Sequence, residues 1–65
     1  MKNHYYVRWS WAHLEPLVHI GPNSPMSGMT FCGLQTLWCR RVTDQRVPTC
    51  FRCLGHPNAK NYDME

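Results

Sequence analysis

The sequence predicts a small α+β domain that its own core cannot stabilise unaided, and three observations lead there. The chain has 65 residues, which bounds it to one domain. Its hydrophobic fraction of 43%, with three Trp, three Tyr and two Phe, is too high for a disordered segment. Short apolar runs stand between clusters of turn residues, and one helix start follows them near the C-terminal end. Ordering 65 residues costs on the order of 100 kcal/mol at ~1.5 kcal/mol each, and burial in so short a chain roughly cancels that. A further constraint is required. Four Cys and four His are the available supply.

The elements are read in order along the chain. Tyr5, Val7, Trp9 and Trp11 alternate with Tyr6, Arg8 and Ser10, which predicts a strand with one buried aromatic face. Glu15-Pro16 interrupts, and Leu17–Ile20 reads as a second short strand. Residues 21–25, Gly-Pro-Asn-Ser-Pro, form a loop because two prolines and a glycine deny regular ladder bonding. Met29–Cys32 reads as a third strand ending at Gly33, paired with the second in a hairpin around that loop. Leu34–Val42 fits a helical face through Leu34, Leu37, Trp38 and Val42, and a strand face through Thr36, Trp38, Arg40 and Val42. After a turn at Thr43–Gln45, Thr49 is a suitable N-cap for a short helix beginning at Cys50. Gly55, His56 and Pro57 stop it. The expected organisation is one domain over 1–56 and a mobile polar tail over 57–65.

Residues 1–20 hold no apolar core of a secretory signal, and no run approaches the ~20 apolar residues of a membrane span. An intracellular setting is therefore expected, where thiols stay reduced and clustered cysteines more often bind metal than form disulfides. Cys50-Phe51-Arg52-Cys53 is a CxxC at a helix start, a spacing that lets two sulfurs converge on one ion. One such pair alone is a weak signal, because redox proteins use it too. His19 and Cys32 are the best second pair, on the two arms of the expected hairpin, giving one His and three Cys around a structural zinc ion. Cys39 or His56 in place of His19 are the alternatives. Otherwise Cys39 is a small apolar filler beside Trp38, and His4 and His13 are surface or half-buried residues.

Three blocks carry a resemblance: Val18-His19-Ile20, then Thr30-Phe31-Cys32-Gly33, then Thr49-Cys50-Phe51-Arg52-Cys53-Leu54. Their order and spacing resemble the small zinc-finger proteins of actinobacteria and their phages, whose chains read V-H-L, T-L-C-G and V-T-C-x-x-C-L. The resemblance spans residues 18 to 54 and implies His19, Cys32, Cys50 and Cys53 as zinc ligands. It also implies a location in the cytoplasm of a bacterial host cell. The chain departs from that pattern in its aromatic N-terminal extension, its extra Cys39 and its early Gly55-His56-Pro57 stop. The architecture expected from these readings is treble-clef-like: an aromatic strand, a ligand hairpin and a short helix bearing the CxxC.

Catalysis is not expected. No Ser/His/Asp or Cys/His pair stands free of the metal set, there is no phosphate-cradling glycine loop, and the carboxylates are Glu15, Asp44, Asp63 and Glu65. No small-molecule substrate is expected either. The predicted role is a non-catalytic interaction module that binds a host protein, with Tyr5, Tyr6, Trp9 and Trp11 as contact residues. The alternative is a nucleic-acid binder that neutralises phosphates with a face of Arg40, Arg41, Arg46 and Arg52. A net charge of +3 is weak for a dedicated nucleic-acid protein and favours the first reading. Trp9, Trp11 and Trp38 fit a core better than a base-stacking platform, since other large apolar groups are few.

Overall fold

The computed structural model describes residues 5–11, 16–24 and 26–63. Its elements are β1 (Tyr6–Trp11), β2 (Val18–Pro22), one 3-10 turn (Thr36–Trp38), β3 (Cys39–Arg41) and helix α1 (Phe51–Leu54). The three strands form one antiparallel sheet in the order β2-β1-β3, so the aromatic strand is central. Trp9 stands opposite His19 on one side and Arg41 on the other. This is a small α+β arrangement, as the sequence predicts. None of the described helices is long and apolar enough to cross a membrane.

The alternation predicted for β1 holds at Val7 and Trp9 and fails at Tyr5 and Arg8. Val7 and Trp9 are buried, at 0% and 3% exposure, but Tyr5 is 72% exposed and Arg8 is buried at 5%. Arg8 is covered because other segments offer it oxygens. Its guanidinium donates to the carbonyls of Asp44 and Arg46 at 2.7 and 2.6 Å and to the Asp63 carboxylate at 2.8 Å. Residues 58–63 are thus not the free tail that the sequence suggests. Ala59 is buried, Tyr62 packs on the core cluster and Asp63 pairs with Arg8.

The expected hairpin between the second and third segments does not form. β2 pairs with β1, and Met29–Cys32 is not a strand. A chain turn takes its place. The Gly33 amide donates to the Thr30 carbonyl at 2.9 Å, the Thr30 amide donates to Leu34 at 2.7 Å, and Met29 bridges Gln35. Gly33 carries φ 99, a left-handed conformation that suits glycine and bends the chain out of any ladder. The turn nonetheless docks on the outer edge of β2, where the Phe31 amide donates to the Ile20 carbonyl at 2.8 Å. Gly21 permits the approach, because a Cβ there would lie 2.9 Å from the Thr30 Cα.

The ambiguous stretch from Leu34 to Val42 resolves into both states in succession, a 3-10 turn and then β3. Trp38 is left 63% exposed and so is not a core residue. Helix α1 begins one residue later than predicted, with Cys50 rather than Thr49 at the N-cap position. The Thr49 hydroxyl is engaged elsewhere, accepting the Val18 amide at 2.9 Å. In return the amides of Thr49 and Cys50 both donate to the Val18 carbonyl, at 3.0 and 3.1 Å. Both loops that carry cysteines therefore hydrogen-bond to the same edge strand. That docking builds the site.

Candidate metal centre

Four side chains from three segments meet at the outer edge of β2. His19 comes from the strand itself, Cys32 from the turn after the proline loop, and Cys50 and Cys53 from the start of α1. One donor atom from each lies within 4.8 Å of all the others. The His19 Nδ1 is 3.3 Å from the Cys32 sulfur and 3.8 Å from the Cys53 sulfur. A tetrahedral ion bound by sulfur at ~2.3 Å and nitrogen at ~2.0 Å requires ligand-to-ligand edges of roughly 3.5–3.8 Å. The observed spacing fits a single metal ion.

The surroundings act differently on two of the sulfurs. Hydrogen bonds reach Cys32 from the Thr30 hydroxyl and the Leu34 amide, and Cys53 from the Ile20 amide. Burial pushes the Cys32 thiol up, but its hydrogen bonds together outweigh that and leave it below its ordinary value. Cys53 is the opposite case: burial, with the charge and hydrogen bonding of Cys32 and Cys50, pushes it up to about 12. Three sulfurs this close cannot all be anionic without a cation among them. His19, Cys50 and Cys53 are buried, at 2%, 5% and 0% exposure, whereas Cys32 is half-buried. A groove of about 310 Å³ opens over Cys32, with Leu17, Leu34 and Phe51 as apolar walls and Arg52 beside them.

No family model, curated protein or solved structure matches this chain. The geometry of the site carries the functional reading.

Both alternatives to His19 sit elsewhere. Cys39 lies on β3 opposite Trp11, with its sulfur 3.4 Å from the Gln35 carbonyl. His56 stacks on Phe31 at a centroid distance of 3.9 Å, and its Nδ1 accepts the Asn58 amide. His4 and His13 lie outside the described residues.

The candidate contact residues divide by burial. Trp9 is a core residue whose indole donates to the Pro22 carbonyl at 3.1 Å. Tyr6 is half-buried between Tyr5 and Phe31, and its hydroxyl accepts the Asn58 side-chain amide. Tyr5 and the half-buried Trp11 offer surface. The four arginines are exposed. Arg40 and Arg41 are adjacent in β3 and so leave it on opposite sides. Arg41 reaches Asn23 and Asp63, and Arg46 pairs with Asp44. The Arg46 amide and guanidinium hold the Asp44 carboxyl below its ordinary range. Arg52 belongs to the groove beside the cysteines.

Sequence reasoning missed the groups around the ligands. Thr30 is the clearest case, with its Oγ1 3.2 Å from the Cys32 sulfur. A hydroxyl two residues before a cysteine in a turn ending on glycine was the available signal. Arg8 is the other omission, and it left no local trace because its partners are 36, 38 and 55 residues away.

Proposed function

We propose that the chain is a zinc-stabilised, non-catalytic interaction module of treble-clef-like architecture. One observation carries the reading: a complete one-His, three-Cys donor set closes at the junction of the edge strand, the turn and the helix start. Thiolates with one imidazole select a borderline-soft ion, and zinc is the usual occupant of such tetrahedral sets. Four protein ligands fill that coordination, so the ion's part is to hold three segments together, with no position for a reacting water. Among the described carboxylates, Asp44 and Asp63 are engaged by arginines, which supports a role without acid–base chemistry. The resemblance to small zinc-finger proteins of actinobacteria and their phages supports the same ligand set and a bacterial cytoplasmic setting.

The partner is a host protein, bound through surface aromatics. Tyr5, at 72% exposure, and Trp11 are the members of the aromatic strand able to anchor it. The opposite projection of Arg40 and Arg41 from β3 and the pairing of Arg46 with Asp44 weigh against a single phosphate-binding face. Affinity capture from bacterial lysate, with and without nuclease, tests this reading. A partner that survives nuclease and is lost with Tyr5→Ala is expected. Capture abolished by nuclease, with nucleic-acid affinity falling ~1,000-fold or more between ~50 and ~200 mM salt, would replace it with the nucleic-acid reading.

A further inference from the structure

We infer that Thr30 is a positioning residue of the metal centre, one whose hydroxyl donates its proton to the Cys32 sulfur and fixes that ligand for the ion. The inference rests on the metal-binding reading above. Thr30 is buried at 4% exposure, and its Oγ1 lies 3.2 Å from the Cys32 sulfur. The same oxygen accepts the Leu34 amide at 3.0 Å. A metal-bound thiolate has no proton to give, so it acts as acceptor and the hydroxyl as donor. The direction of the bond therefore follows from the chemistry of the loaded site.

Thr30 is itself held from several sides. Its amide donates to the Leu34 carbonyl at 2.7 Å, and its carbonyl accepts the Gly33 amide at 2.9 Å. Its Cα passes so close to Gly21 that a side chain there would have to displace it. A hydroxyl fixed in this way cannot swing to solvent. Of the three ligand sulfurs, Cys32 is the one left half-buried at the groove. A directed donor matters most there, because water from the groove competes for the same lone pair. The bond withdraws charge from the sulfur that attacking reagents reach first, and it limits the rotamers open to Cys32 before the ion arrives.

The test compares the full chain with Thr30→Val, which keeps the shape and removes the donor, and Thr30→Ser, which keeps the donor. Zinc affinity is measured by competition with a chromophoric chelator, and the sulfur-to-cobalt absorption of the cobalt-saturated proteins is recorded. Thr30→Val is expected to bind zinc ~10-fold or more weakly, the scale of an outer hydrogen bond to a ligand. Its charge-transfer band should move to lower energy, while Thr30→Ser stays within about threefold of the parent and keeps the parent band. A loss of packing alone would weaken binding in Thr30→Val without moving the band of the saturated protein, and that result would overturn the inference. So would equal affinity and equal spectra in Thr30→Val and the parent, with the parent still binding one ion. If the parent binds neither zinc nor cobalt, the metal reading falls and this inference with it. Should Thr30→Val fail to fold, alkylation of the metal-loaded Thr30→Ala chain, resolved by residue, decides: faster modification at Cys32 than in Thr30→Ser is expected, and equal rates would overturn the inference.

Discussion

Two clusters tie this chain together, and they work by different physics. At the outer edge of β2, His19, Cys32, Cys50 and Cys53 gather three segments around a point that an ion can fill. Under the central strand, Arg8 gathers the 44–46 turn and Asp63 with protein atoms alone. The first cluster brings three thiols into a buried space, where without a cation their charges oppose one another. The second satisfies itself, since a buried guanidinium meets a carboxylate and two carbonyls directly. The two clusters share no residue. The chain thus spreads its long-range constraints over the edge strand and the central strand of a sheet too small to supply a large core.

The comparison is broken most severely by removing a metal ligand. Cys53→Ser should leave the chain unfolded, because the apparent folding contribution of a structural zinc, ~10–16 kcal/mol, exceeds or matches the whole stability of a small domain. Far- and near-UV circular dichroism with zinc present checks this. Arg8→Ala comes next. It leaves the Asp63 carboxylate, at low exposure, with the Arg41 guanidinium at 3.8 Å and takes the donor from two carbonyls, so a loss of about 3 kcal/mol is expected in denaturant unfolding. Metal stoichiometry in that variant should remain unchanged while it is folded, which separates the two clusters. Removal of Asp63 together with Arg8 should cost less than Arg8→Ala alone, a double-mutant cycle that measures the pair.

Smaller effects sharpen the picture. Gly21→Ala places a Cβ 2.9 Å from the Thr30 Cα and 3.1 Å from Trp9, so it should cost about 1–3 kcal/mol by pushing the Cys32 turn off the sheet. Thermal unfolding of the metal-loaded protein reads that directly. Cys39→Ser lies outside the donor cluster and should change stability by no more than about 0.5 kcal/mol, with metal content unaltered. Loss of the ion from Cys39→Ser would contradict the ligand set.

The difference between the clusters also explains what the sequence made legible. The clustering of His19, Cys32, Cys50 and Cys53 is legible because few chemistries place His and Cys at these intervals, and because the chain visibly lacks core. The position of Cys32 is less legible: local apolar character predicts Met29–Cys32 as a strand beside β2, yet Gly33 bends the segment into a turn that docks on that edge through the Phe31 amide. Thr49 reads as a cap because its type favours that position. Its hydroxyl goes instead to Val18, a contact 31 residues away that no local rule anticipates. Arg8 falls on the polar side of an alternating strand, since the period of two is blind to what arrives on the far face. Polar residues 58–63 looked like a tail for the same reason, as a single Ala, a Tyr and an Asp suffice to anchor them.

Native mass spectrometry of the full chain, coupled to near-UV circular dichroism before and after chelation, tests the central claim most directly. The account predicts one zinc ion per chain, loss of the near-UV signal when the ion is stripped under reducing conditions, and its return on adding one equivalent of zinc. A chain that carries no metal, or that keeps its near-UV signal after the metal is removed, would contradict it.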